Sequence, residues 1–186
     1  MPRRTRFVPL LLAALVFAAL ALGVSACGWS SDSKEVVEGE VVELGDLKYQ
    51  VIFSRFLNPS DNEDSAYLVG QPAPKDGSNY FGVFLEVQNK SEETQQLPPA
   101  PFTIEDSDGA TYTSLESESL YAFPFDGKVE SQEPIPAPDS TPQQGPIEGS
   151  VVIFELPSSA SENRPLTLEI PAPDSSEEAA KVKLDL

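Results

Sequence analysis

The 186-residue sequence has no histidine, and only one cysteine, one tryptophan and one methionine. Without histidine the chain lacks the commonest general base and the commonest metal ligand. A single cysteine has no partner for an internal disulfide, so packing alone must hold the fold. No zinc-ligand spacing and no phosphate-binding glycine loop occurs either. Basic residues are also scarce, twelve against thirty acidic ones. Beyond the first six residues the chain has no Lys/Arg cluster with which to release counterions from a phosphate backbone, which sets nucleic acid aside as a partner.

What is present begins with Arg3, Arg4 and Arg6, followed by an uncharged run from Phe7 to Leu22. These are the basic and apolar parts of an export signal. The run is shorter than the roughly twenty residues that a membrane-spanning helix needs. Leu22-Gly23-Val24-Ser25-Ala26-Cys27 comes next, with small side chains where a signal peptidase cuts. This stretch resembles the lipobox of bacterial lipoproteins, with Val24, Ser25 and Ala26 leading to Cys27. The resemblance implies that the Cys27 thiol receives a diacylglyceryl group and that cleavage makes Cys27 the first residue of the mature chain. Two acyl chains hold a protein stably at a membrane, whereas one does so only marginally. An uncleaved apolar helix and an ordinary secretory signal are the competing readings. Arg3-Arg4 also invites twin-arginine export, although Phe7 sits one place late for that pattern.

The chain therefore divides into a signal peptide at 1–26, a lipidated cysteine and tether at 27–34, and a domain at 35–186. Removing residues 1–26 takes three basic residues and no acidic one, so nine remain against thirty, a net charge of −21. Such a surface favours solubility and stands off anionic lipid headgroups. A mature chain of this length falls in the single-domain range and buries roughly two thirds of its unfolded surface. The tether Gly28–Lys34, fully extended at about 3.5 Å per residue, reaches no more than roughly 25 Å. Trp29 within it either packs on the domain or dips into the headgroup region.

From Glu35 onward, short apolar runs separated by turn residues predict strands and no long helix. Val41, Val42 and Leu44 form the first strand. Leu47, Tyr49, Val51 and Phe53 alternate with Lys48, Gln50 and Ser54, which places them on one apolar face of the next, while Ile52 and Phe56 break its polar face. Residues 58–79 show neither period and read as a long surface loop carrying the acidic cluster Asp61, Asn62, Glu63 and Asp64. Calcium takes six or more oxygens, but the cluster lacks the Asp-x-Asp-x-Asp-Gly spacing and reads as solvated. Tyr80–Lys90 is the clearest strand, closed by Asn89-Lys90-Ser91, an Asn-x-Ser sequon. After a Pro-rich crossing at Leu97–Pro101, Phe102–Glu105 and Thr111–Thr113 flank Asp106-Ser107-Asp108-Gly109, a hairpin signal in which glycine takes positive φ.

These segments carry a second resemblance. Phe81–Lys90, Phe102–Gly109 and Gly149–Pro157 resemble a large family of bacterial lipoproteins of unknown function. In that family a strand ends in Asn-x-Ser/Thr, a phrase like Phe-x-Leu-x-Asp-x-x-Gly follows, and a late strand reads Gly-x-Val-x-Phe-x-x-Pro. The resemblance implies an all-β fold, an immunoglobulin-like (telokin-like) antiparallel β-sandwich of seven or eight strands, similar to secreted immunoprotective antigens of mycobacteria. It spans residues 45–186 and brings no catalytic residues with it. The inter-sheet disulfide and core tryptophan of antibody domains are both missing.

Between the hairpin and the late strand lies the most aromatic stretch. Alternation puts Tyr121, Phe123 and Phe125 on one side, either as core or as an exposed partner patch. Five prolines between 129 and 149 predict an irregular excursion with no ladder role. Gly149–Leu156, Leu166–Ile170 and Val182–Leu186 supply the final strands. No Gly-x-Ser-x-Gly elbow occurs, and nothing calls for a cofactor or a metal. The leading expectation is a non-catalytic module on the extracytoplasmic face of the cell membrane, meeting another protein or an envelope component. The alternative is a small carbohydrate-acting hydrolase with two acids about 5 to 10 Å apart. A solute-capturing lipoprotein needs two α/β lobes, for which the chain is too short and too rich in strands.

Overall fold

Alternation at every second residue, cut by Gly, Pro, Asn and Asp, sets where strands begin and end. A computed structural model describes residues 34–172 and 178–185, all within one compact unit running from Ser33 to Leu186. Its strands are β1 (Glu35–Val37), β2 (Val41–Leu44), β3 (Leu47–Leu57), β4 (Ser78–Asn89), β5 (Gln95–Gln96) and β6 (Thr103–Glu105). They continue with β7 (Thr111–Leu115), β8 (Lys128–Val129), β9 (Pro134–Ile135), β10 (Ser150–Pro157), β11 (Leu166–Ile170) and β12 (Ala180–Leu184). That is twelve strands among the described residues against the seven or eight expected. The surplus comes from two- and three-residue ladders, too short to show a period in sequence.

The main sheet runs β1-β12-β11-β6-β7-β10-β4-β3-β2 and folds back on itself. The fold line is β7, whose Thr111–Thr113 pair with β6 while Ser114 and Leu115 pair with β10. At the opposite side the turn Glu38-Gly39-Glu40 carries the chain from β1 in one layer to β2 in the other. All these neighbours are antiparallel except β1, which lies parallel to β12. Between the layers, Ile104, Leu166, Leu168, Ile170, Val182 and Leu184 meet Leu44, Tyr49, Val51, Phe81, Val83, Leu85, Val152 and Phe154 in one buried core. Each such side chain contributes about 1.5–3 kcal/mol when fully buried.

One expected face is broken. A register shift between Val51 and Phe53 inserts an extra residue opposite β4, which reverses the inside–outside alternation from there on. Phe53 therefore turns outward, 42% exposed, and leaves the apolar face it was assigned to. Ser54 turns inward, where its N–H and hydroxyl both donate to the Glu38 carboxylate.

The outer face of β3, β4 and β10 is also covered. Residues 58–79 are not a plain loop, because they contain a helix, α1 (Asn62–Tyr67). Asp61 caps it, accepting from the N–H groups of Glu63 at 2.9 Å and Asp64 at 3.3 Å. Tyr67 and Leu68 pack with Leu57, Tyr80, Phe84, Val151 and Ile153 in a second buried cluster. Asp64 is itself buried and is gripped by both Arg55 amino groups and by the Asn58 N–H at 2.7 Å. The acidic cluster is thus a cap and an ion pair, not a solvated loop.

The Pro-rich excursion likewise enters the ladder. Pro134 pairs with Gln88 and Ile135 with Val87, and Ile135 packs against the core. A proline fits there because it supplies a carbonyl without needing a donor. Asn89 of the sequon is fully buried, its amide nitrogen within hydrogen-bond distance of the carbonyls of Glu93, Val129 and Glu130. It ties the loop after β4 to the β5–β8 pair. The last strand keeps the expected alternation, with Val182 and Leu184 in and Lys181 and Lys183 out, but it runs Ala180–Leu184 and not Val182–Leu186; Leu186 lies outside the described residues.

Candidate functional site

β7 pairs with β10 only through Ile153–Leu115 and Phe154–Ser114, and then leaves the sheet. Its place beside β10 is taken by the returning chain, where the Val151 N–H donates to the Tyr121 carbonyl at 2.7 Å and the Phe123 N–H to the Val151 carbonyl at 2.9 Å. Between the departing and returning segments opens a crevice of about 360 Å³. Its walls are Leu115, Ala122, Phe123, Phe125, Val151 and Val152, with Glu116, Ser117 and Asp126 among its polar lining residues. A volume of this size lies at the small end of ligand pockets, which are mostly apolar with a few placed polar groups.

Each edge of the crevice is fixed by specific bonds. On the Glu116 side, the Gln71 side chain donates to the Glu116 carbonyl at 2.6 Å. The Ser119 hydroxyl donates to the Ala66 carbonyl at 2.8 Å and accepts from the Tyr121 N–H at 3.1 Å. On the Asp126 side, the Asp126 N–H donates to the Pro98 carbonyl at 3.2 Å with Asp126 at φ 55°. Gly127 follows because a Cβ there would sit 2.6 Å from the Pro124 carbonyl oxygen.

The three aromatic residues singled out in the sequence do not share a side. Phe123 is buried and Phe125 partly buried, and both stack edge-on or tilted against Phe102 with centroids 5.4 and 5.0 Å away. Tyr121 packs instead on the outer layer, 5.0 Å from Tyr67. The bridge at Ala122, with Val151 bonded to residues on both sides of it, seats the segment at the layer boundary and divides the rings between two clusters. An exposed patch of all three is therefore not what forms; Phe123 and Phe125 instead present part of their surface to the crevice. Cys27, with Val24, Ser25 and Ala26, lies outside the described residues.

Several carboxylates have displaced pKa values, all downward. Burial pushes Asp64 up, but the Arg55 hydrogen bonds, the Asn58 N–H and the guanidinium charge outweigh it and hold its carboxyl below the usual range. Burial likewise raises Asp106, and the N–H groups of Ala110 and Asp108 with the Tyr112 hydroxyl reverse that. The Lys75 N–H lowers Glu155, and a hydrogen bond from Lys183 lowers Glu35. A glycosidase acid needs the opposite displacement. Among the described residues no group of three or more Cys, Asp or Glu is placed to hold a metal ion, and no helix is long and apolar enough to cross a membrane.

The crevice was partly invisible to sequence reasoning, because Leu115, Val151 and Val152 read as ordinary strand residues and Glu116 and Asp126 as loop acids. The Arg55–Asp64 pair was missed too, although Asp61 followed three places later by an acid is the usual helix-start signal.

Fold and topology define an all-β sandwich. In fold the chain is similar to the yjhA protein from Bacillus subtilis, at 16% identity and TM-score 0.53, over 80% of this chain and 99% of that one. It is also similar to a functionally unknown protein from Listeria monocytogenes EGD-e, at 9% identity and TM-score 0.50, over 81% and 83%. An uncharacterized β-sandwich protein from Clostridium difficile 630 aligns at 15% identity and TM-score 0.48, over 82% and 95%. No protein-family model and no curated protein matches the sequence. At these identities the likeness is one of fold alone.

Proposed function

We propose that the chain is a non-catalytic binding module, anchored by lipid on Cys27 to the extracytoplasmic face of a membrane, whose sandwich engages a partner through the crevice between Leu115 and Phe125. The observation that carries the binding half is the crevice itself, an open hollow of about 360 Å³ with mixed apolar and polar walls, beside a strand that leaves its ladder early. The location rests on residues 22–27, where an export signal ends in small residues and the only cysteine. The telokin-like lipoprotein resemblance of Phe81–Lys90 and Gly149–Pro157 fits both halves. Against chemistry stand the absence of histidine and the downward pKa of every displaced carboxylate.

The anchor is tested by fractionation. Cys27→Ala moves the protein from the membrane pellet to the soluble fraction and abolishes incorporation of labelled palmitate. A variant that stays in the pellet and remains folded rules the lipid anchor out.

A further inference from the structure

We infer that the crevice takes a cation with an apolar stem, the side chain of an arginine or lysine presented by a partner protein. The inference rests on the crevice being the binding site proposed above and specifies what enters it. Its ionisable lining residues are Glu116 and Asp126, both acidic, and no basic residue lines it. Among the described residues neither carboxylate has an ion-pair or side-chain hydrogen-bond partner, because the bonds made by Glu116 and Asp126 run through their backbones. Beside them lie apolar side chains, of which Leu115, Ala122 and the aromatic Phe125 are half-buried and Phe123 almost wholly buried.

Those features select against the other ligand classes. An anion would be repelled by both acids and by a mature chain of net charge −21. A purely apolar group would fill the walls but leave two carboxylates to be partly desolvated without compensation. A long basic side chain satisfies both, since its methylenes lie on apolar surface while its charged head stays at a polar rim. Aromatic walls add attraction for the same charge. The acidity of the whole domain raises the local concentration of basic partners and speeds their approach, an effect that weakens with salt.

The test uses the full chain in zwitterionic detergent micelles, with methyl-labelled Ala, Leu and Val. Two probes are titrated, N-acetyl-arginine amide and the neutral N-acetyl-norleucine amide. The expected result is that the arginine probe shifts the methyl signals of Leu115, Ala122, Val151 and Val152 and binds roughly tenfold more tightly than norleucine, a margin of the size two exposed charge contacts give at most. The double variant Glu116→Gln, Asp126→Asn removes that margin while leaving norleucine binding intact; asparagine is well tolerated at the positive φ of residue 126. Equal binding of the two probes overturns the cation and leaves the crevice standing as a binding site. Shifts from neither probe at these methyls overturn both readings.

Discussion

The two faces of β4 and β10 are covered by different means. Inward, Phe81, Val83, Leu85, Val152 and Phe154 meet a second layer of strands, side chain against side chain, with almost nothing polar between. Outward, Tyr80, Phe84, Val151 and Ile153 are covered by one short helix and returning loops, led by Tyr67, Leu68, Tyr121 and Ile147. The inner face needs only alternation, because two pleated surfaces of the right period interdigitate on their own. The outer cover has no period to repeat and is held at polar points, Arg55 on Asp64, Lys75 on Glu155, and Ser119 on Ala66. Strand packing thus fixes the frame, and polar ties fix what is laid over it, including the Glu116 side of the crevice.

The largest effect should come from the inner face. Phe154 is fully buried between the layers, so Phe154→Ala should cost about 3–5 kcal/mol of global stability. Urea unfolding followed by far-ultraviolet circular dichroism measures it, and a loss under about 1 kcal/mol would show that the layers are not packed as described.

Removing a polar tie should cost less and act elsewhere. Asp64→Ala leaves a partly buried Arg55 without its bidentate partner and frees the Asn58 N–H, for a loss of about 2 kcal/mol once the exposure of Arg55 is allowed for. Hydrogen exchange should speed up across residues 58–79 while β4 and β10 keep their protection. The loss should also depend on pH. Asp64 has a folded pKa below its unfolded value, so its contribution is full above the unfolded value of about 3.9 and disappears as pH falls through the folded one. Wild type and variant should therefore converge in stability below about pH 4. A gap that persists in acid would locate the effect in packing.

The same division explains how much could be read in advance. Tyr80–Lys90, Gly149–Leu156, Leu166–Ile170 and the final strand were legible because each has a buried face of period two, and the all-β sandwich followed from them. The Asp106–Gly109 turn was legible because Gly109, at φ 82°, is the residue that such a turn demands. The bulge after Val51 was not, since nothing in Val-Ile-Phe-Ser marks which residue is extra. Nor was β1, whose three residues become a strand only by lying beside β12, more than 140 positions away. The rings of Tyr121, Phe123 and Phe125 alternate as a strand would, yet the bonds that Tyr121 and Phe123 make to Val151 seat them at a layer boundary that sequence does not announce.

The smallest effect belongs to Ser119, where the outer cover meets the crevice. Its hydroxyl joins this segment to α1, donating to the Ala66 carbonyl and accepting from the Tyr121 N–H. Ser119→Ala leaves that carbonyl and that N–H without their partner in a site where Ser119 is 8% exposed, at a cost of about 1 kcal/mol. Because Gln71 still holds the Glu116 carbonyl, the segment should loosen and not detach. Amides from 119 to 123 should exchange faster, and the methyl signals of Leu115 and Ala122 should broaden, with the urea midpoint barely moved. If instead the loss reaches the size expected for Phe154→Ala, outer cover and inner core are one cooperative unit, and polar ties do more than position what the strands already hold.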